Sequence, residues 1–151
     1  MRKSIINLSI SVLMLAIFLS PVIAEEMHHT GYKMDHAKHK GKMIREANVN
    51  GYGFIYHLID MRKHVKEMKG MSATHHLMVY IKAPHGHNVE KAKVGYLVIG
   101  PDGKKDKTIT MAMSGGFGAD INLKGKGVYT IIAKALTKEK KLIDKFTYEV
   151  Q

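Results

Sequence analysis

The sequence contains no cysteine, and this absence removes several kinds of site at once. Without a thiol the chain can form no disulfide, no thiolate metal site, no Cys-x-x-Cys redox pair and no cysteine nucleophile. A blue-copper electron-transfer site is excluded for the same reason, because it needs a cysteine ligand. Stability has to come from a packed core, and any metal site has to use other donors.

Arginine is also scarce, since only Arg45 and Arg62 occur beyond residue 24. The chain has 24 Lys and Arg residues against 13 Asp and Glu, so the positive excess is almost entirely lysine. Proteins that bind nucleic acid usually combine basic residues with arginine or aromatic side chains that contact bases. We therefore expect no nucleic-acid partner and interpret the lysines as a solvated surface with weak attraction to anionic membranes or acidic proteins.

Motifs for catalysis are lacking as well. The sequence has no nucleophile elbow, no His-Glu-x-x-His, no phosphate-binding glycine loop and no paired carboxylates in an apolar setting. The glycine-rich stretch 115–118 is not followed by a helical pattern, and we interpret it as a flexible turn or bulge. The sequence predicts that the protein is not an enzyme.

One long apolar run is present, and it lies at the N-terminus. Residues 1–24 begin with two basic residues, continue as an apolar segment over 5–19 and end with small residues at Val22 and Ala24. This order is typical of a secretory signal peptide, and an uncleaved anchor is the alternative. No later segment is apolar enough to cross a bilayer. We predict cleavage after residue 24 and a periplasmic or secreted location.

The remaining chain divides by composition into a tail and one domain. Residues 25–48 are rich in His, Met and Lys without apolar periodicity, which predicts a mobile tail. Residues 49–151 show short apolar runs separated by Gly and Pro turns, which predicts an all-β, immunoglobulin-like β-sandwich of about seven strands. A small closed barrel is the alternative. A short helix is expected within 60–71, and strands are expected near 51–59, 74–82, 91–99, 107–113, 119–123, 127–136 and 142–150.

Histidine and methionine are concentrated in the first part of the chain. All ten histidines and nine of the eleven methionines follow residue 24, and no histidine follows His87. Imidazole suits Cu(II), Zn and Ni, whereas the soft thioether selects Cu(I). Zinc usually recruits Cys, His and carboxylates. The mixture indicates copper, as Cu(I) or Cu(II), with these candidate ligands: Met61, His64, Met68, Met71, His75, His76, His85, His87, Met111 and Met113.

These candidates do not all fit one site. Strand alternation puts His75 and His76 on opposite faces, so one of them is expected to point inward. His85 and His87 follow the same strand at a distance of roughly 30 Å, which favours a second, more exposed site. Met111 and Met113 share one strand face. The alternative for each methionine is a place in the core, where methionine commonly fills gaps.

Short motifs in the second half resemble a known group of domains. Val89-Glu90-Lys91-Ala92-Lys93-Val94, the Pro101-Asp102-Gly103 turn, Met111-Ala112-Met113 and Gly127-Val128-Tyr129 are similar to small exported immunoglobulin-like domains of the YtkA/FixH-like and CopC-like kind. The resemblance covers about residues 74–150. It implies a periplasmic module that binds copper or assists assembly of a metal-containing membrane complex. The CopC-like histidine at the mature N-terminus is absent, since Glu25-Glu26 stands there.

Two functions follow as hypotheses. The first is a periplasmic copper-binding protein for homeostasis, resistance or delivery, whose expected partners are the metal ion and a membrane-bound metalloprotein or exporter. The second is a structural or adaptor module without metal that docks on a membrane or a partner protein through its lysines.

Overall fold

The computed structural model of the protein describes residues 40–65 and 73–151, with the backbone alone for His64 and Val65. The predicted signal peptide and residues 25–39 of the predicted tail lie outside these ranges. Within the two described ranges, no helix has the length and apolar character needed to cross a bilayer.

The described part forms two antiparallel sheets packed face to face. A five-stranded sheet has the order β1-β2-β3-β7-β6, and a four-stranded sheet has the order β5-β4-β8-β9. The predicted all-β sandwich is confirmed, and residues 40–65 and 73–151 contain nine strands where about seven were expected. The elements are β1 (Lys42–Val49), β2 (Tyr52–Asp60), α1 (Arg62–Val65), β3 (His75–Lys82), β4 (Lys93–Ile99), β5 (Lys105–Ile109), β6 (Met111–Met113), β7 (Gly116–Ile121), β8 (Gly127–Leu136) and β9 (Lys141–Val150).

The first additional strand lies where the mobile tail was expected to continue to residue 48. Strand β1 pairs with β2 along its length, and Asn50 and Gly51 connect them with φ angles of 53° and 86°. Two successive positive φ angles are the signature of a tight two-residue hairpin turn. The expected tail is therefore wrong for residues 42–48, because this turn reverses the chain and adds them to the sheet.

The second difference concerns the strand expected over 107–113. It is two strands in different sheets, since β5 pairs with β4 and β6 pairs with β7. Thr110 marks the change, and its backbone N–H and Oγ1 both donate to the Val94 carbonyl at 3.0 Å. Strand β6 then turns into β7 through Ser114 and Gly115, which have positive φ. Gly116 and Gly118, expected in a flexible turn or bulge, are part of β7.

The core lies between the two sheets and follows from alternation along the strands. Along β2, β3, β4 and β8 most alternate residues are buried and apolar, as strands with one face toward the core require. Tyr56 of one sheet packs on Phe146 of the other with ring centroids 4.8 Å apart. Tyr96 donates from its hydroxyl to the Phe117 carbonyl at 3.0 Å. These contacts fix how the sheets face each other.

Two polar features complete the fold. Arg45 of β1 donates two hydrogen bonds of 2.8 Å to the buried Asp144 of β9 and so joins the edges of the two sheets. The side chain of Tyr129, near the start of β8, forms hydrogen bonds with the backbone of Gly125. Its hydroxyl oxygen accepts from the Gly125 N–H at 2.9 Å, and its O–H donates to the Gly125 carbonyl at 3.0 Å. A tyrosine that closes back on upstream backbone is typical of immunoglobulin-like sandwiches.

Candidate metal centre

Strand β3 separates the candidate ligands onto two faces. Leu77, Val79 and Ile81 point into the core, so His76 and Met78 lie on the face turned away from it. The side chain of His75 points inward, on the same side of the strand as Leu77. It is buried, and its Nδ1 lies 2.8 Å from Thr74 Oγ1. Burial lowers the pKa of His75, which the nearby Asp60 carboxylate partly opposes. The two neighbouring histidines therefore cannot bind one ion together.

The centre of the outer face is a gap at Gly118 of β7, directly opposite Met78. A Cβ added at Gly118 would lie 2.5 Å from Nε2 of His76, 3.1 Å from Sδ of Met113, and closer still to Sδ of Met78. Two atoms at 2.5 and 3.1 Å from one point are at most 5.6 Å apart. The missing side chain thus leaves a space into which one imidazole nitrogen and two thioether sulfurs converge.

His76 is oriented by a carboxylate on the neighbouring strand. Its Nδ1 lies 2.6 Å from Oδ1 of Asp120, the residue opposite it in β7. An ionised carboxylate only accepts hydrogen bonds, so Nδ1 carries the proton and donates it. In the neutral imidazole, the form that binds metal ions, the Nε2 lone pair then lies on the side of the two sulfurs. Carboxylate support of this kind is the usual outer partner of a metal-binding imidazole.

The two methionines of β6 reach the same face from the sheet edge. Met111 pairs with Gly118 and Met113 with Gly116, so both side chains have the outward parity. Met113 is partly buried and supplies one of the converging sulfurs, whereas Met111 is 69% exposed. The expectation that they share a face agrees with this register.

Two residues on this face were not singled out from the sequence. Met78 is one of the three converging donors, and His57 of β2 lies directly opposite Met78 in the sheet. His57 is buried, and its ring meets that of Tyr80 edge-on with centroids 5.7 Å apart. Five positions form one row across all five strands: Met43, His57, Met78, Gly118 and Met111.

The other predicted ligands are not among the donors that converge at Gly118, or they lie outside the described residues. Met61 follows β2, and its backbone N–H bonds the Thr74 carbonyl at 3.0 Å. The rings of His85 and His87 lie on the turn after β3, with centroids 5.1 Å apart. The side chain of His64, and Met68 and Met71 entirely, lie outside the described residues.

The donor set indicates which ions the cluster suits. Among residues 40–65 and 73–151, no three His, Asp or Glu side chains come together in a way that could hold a metal. The converging donors are instead one imidazole nitrogen and two thioether sulfurs, a soft set. Ligands that share an ion at bonds of about 2.0–2.3 Å lie roughly 3–4.6 Å apart. Small side-chain adjustments would bring these three atoms onto one soft ion.

The fold and this cluster define a β-sandwich with a thioether-rich centre on the outer face of one sheet. No protein-family model matches the chain, and no curated protein matches it in sequence. Similar solved structures include a copper-bound variant of Campylobacter jejuni P19, with TM-score 0.52 and 15% identity over 74% of this chain and 97% of that one.

Two structures of FetP from uropathogenic Escherichia coli strain F11 are also similar. A copper-bound variant has TM-score 0.50 and 19% identity, covering 70% of this chain and 92% of that one. FetP isolated after expression in the periplasm of Escherichia coli has TM-score 0.49 and 16% identity, covering 73% and 93%. At these identities P19 and the copper-bound FetP variant show a shared sandwich fold alone. Membership in the YtkA/FixH-like or CopC-like group stays a prediction.

Proposed function

We propose that the protein binds copper as Cu(I) at the cluster formed by His76, Met78 and Met113. The observation that carries the proposal is the convergence of their three donor atoms over Gly118. Two solved proteins that share the fold, FetP and P19, were determined with copper bound, which supports copper as the ion.

The preference for the reduced ion follows from the ligands. Thioether sulfur is soft and uncharged and selects Cu(I), while Cu(II) favours nitrogen and oxygen in a tetragonal arrangement. We propose Met111 as an additional donor, because it stands opposite Gly118 on the edge strand and is largely exposed. Its position would allow an ion to be received from, or passed to, another molecule.

The role is binding and transfer, without catalysis. The N-terminal signal pattern supports a periplasmic location, and the proposed role there is copper homeostasis, resistance or delivery. Because the chain has no cysteine, this role would use no thiolate ligand. A membrane-bound metalloprotein or exporter is the proposed recipient. The His-rich and Met-rich stretch 25–39 would raise the local capture of ions.

Anaerobic Cu(I) titration against a competing chelator tests the proposal. We expect one ion bound more tightly than micromolar, and an affinity lower by at least about tenfold in Met78→Leu and in Met113→Leu, since each removes one ligand. Met43→Leu is the matched control, because Met43 lies in the same row of the sheet but at its far end. Wild-type affinity in the double variant Met78→Leu/Met113→Leu would refute the site.

A further inference from the structure

The outer face of the four-stranded sheet carries an apolar strip bordered by lysines. Strand pairing places its outward residues in rows that run across β5, β4, β8 and β9. One row is Ile109, Gly95, Lys134 and Ile143, and the next is Lys107, Leu97, Ile132 and Lys145. We name this surface the lysine-bordered face.

Three large apolar side chains of this face are exposed to solvent. Ile109 is 83% exposed, Ile143 50% and Leu136 40%, and all three border the same shallow depression with Leu97 and Ile132. Exposed apolar residues that form one contiguous patch mark an interaction surface more often than scattered ones do.

Almost all charged side chains on this face are positive. Six lysines point outward from it, all of them exposed: Lys93, Lys105, Lys107, Lys134, Lys141 and Lys145. The acidic residues of these strands mostly point elsewhere, since Asp144 is buried against Arg45 and Asp106 contacts Asn122. Glu149 is the one outward carboxylate of the four strands. The occupant of the face should therefore be anionic.

We propose that the lysine-bordered face docks on an anionic lipid bilayer. Protein interfaces are enriched in aromatic residues, Met and Arg and depleted in Lys. The outward residues here include no aromatic residue, Met or Arg and are rich in Lys. Aliphatic side chains bordered by lysines are what a peripheral membrane surface uses, because the apolar groups enter the headgroup region while the ammonium groups contact lipid phosphates.

A second copy of the chain is a poor occupant. In a face-to-face pair the lysines at the sheet edges would meet those of the partner, and like charges opposed across an interface are unfavourable. The proposal does not depend on copper, because the donor cluster lies on the other sheet.

Vesicle co-sedimentation of the full chain tests the proposal. We expect binding to vesicles of phosphatidylglycerol and phosphatidylcholine and none to pure phosphatidylcholine. Ile109→Ser/Ile143→Ser should weaken binding about fivefold or more, and Lys107→Glu/Lys145→Glu at least about tenfold. All variants share one N-terminus, checked by mass spectrometry, so any contribution of residues 1–24 is common to them.

The control variant makes the same change of charge outside the lysine-bordered face. Lys42→Glu/Lys63→Glu alters two exposed lysines outside the four-stranded sheet and should stay within about threefold of wild type. Absence of binding to anionic vesicles would overturn the proposal. Equal losses in the two Lys→Glu pairs, or no loss in the isoleucine variant, would also overturn it, since either result would indicate general attraction of a basic protein.

Discussion

Asp120 Oδ1 lies 2.6 Å from Nδ1 of His76, and the two residues stand directly opposite each other in β7 and β3. The contact holds the imidazole in the tautomer that leaves Nε2 unprotonated. The same register places Met78 opposite Gly118, two residues along each strand. One stretch of strand pairing therefore provides the proposed ligand, the carboxylate that orients it and the space proposed for the ion.

Replacing the orienting carboxylate should weaken the metal site without removing a ligand. We expect Asp120→Asn to lower Cu(I) affinity about 10–100-fold, the usual effect of losing an outer partner of a metal-binding histidine. Chelator competition measures it. Asp102→Asn, in an exposed turn, is the control and should bind as wild type. Unchanged affinity in Asp120→Asn would show that the imidazole is not a ligand in this tautomer.

Filling the gap in β7 should weaken Cu(I) binding through steric clash alone. Gly118→Ala would put a methyl group within 2.5 Å of His76 Nε2 and against both sulfurs. We expect these side chains to be pushed apart and Cu(I) affinity to fall by at least about tenfold. The same titration measures it.

Gly53→Ala is the matched control for that substitution. Gly53 is also a strand glycine of the five-stranded sheet, and its added Cβ would meet only Lys82 Cβ at 3.8 Å, an ordinary contact. Thermal unfolding of both variants shows whether the sheet is intact. Equal affinities for Gly118→Ala and Gly53→Ala, with both folded, would contradict the arrangement.

The Arg45 and Asp144 pair should contribute strongly to the stability of the sandwich. Asp144 is buried, and its hydrogen bond raises the pKa of Arg45, whose guanidinium also lies 5.0 Å from the Phe146 ring centroid. We expect Asp144→Asn to lower the free energy of unfolding by about 2–3 kcal/mol in urea denaturation.

An exposed ion pair provides the comparison for that variant. Asp102 pairs with Lys104 at 3.1 Å, and both side chains are solvent-exposed. Asp102→Asn should change the free energy of unfolding by less than about 1 kcal/mol, as exposed pairs usually do. Similar small losses for both variants would mean that the bond between the sheet edges adds little.

The buried His75 should make stability depend on mildly acidic pH. Burial lowers its pKa in the folded state, so the unfolded chain takes up a proton that the folded protein resists. Stability should therefore fall as pH decreases from about 7 toward 5, starting near the ordinary histidine pKa of about 6.5. Arg62 adds to this shift, while Asp60 opposes it.

The difference between wild type and His75→Gln isolates this residue from the other histidines. The variant should lose less stability between pH 7 and pH 5 in urea denaturation, because glutamine does not titrate. The Asp60 carboxylate, whose pKa is lowered mainly by hydrogen bonds from Arg62, is expected to act only at lower pH. If the free energy of unfolding fell by the same amount with pH in both proteins, His75 would be excluded as the cause of the pH dependence.

Local sequence patterns were sufficient to predict most of the fold. The alternation along β3 predicted opposite faces for His75 and His76, and turns rich in Gly and Pro separated most strands correctly. Strand β1 was missed although Asn50-Gly51, the strongest short hairpin signal, lies directly after it. The division of residues 107–113 into two strands could not be predicted from the local sequence. Residues on both sides of Thr110 favour a strand, and only tertiary packing places them in different sheets.

The proposed site could be predicted from the sequence in its donor chemistry and only partly in its residues. His76, Met113 and the soft donor type were expected. The spacing of His76 and Met78, two residues apart on one strand face, was an available signal for Met78. The role of Gly118 depends on which residues of β3 and β7 stand opposite each other, and register between distant strands is set by tertiary structure.

X-ray absorption spectroscopy at the copper edge, on the Cu(I)-loaded protein, tests the central claim most directly. We expect a first shell with about two sulfur atoms and one imidazole nitrogen, and loss of one sulfur in Met78→Leu. Since the chain has no cysteine, any sulfur detected must come from methionine. A shell of nitrogen and oxygen alone, unchanged in Met78→Leu, would contradict a copper centre at His76, Met78 and Met113.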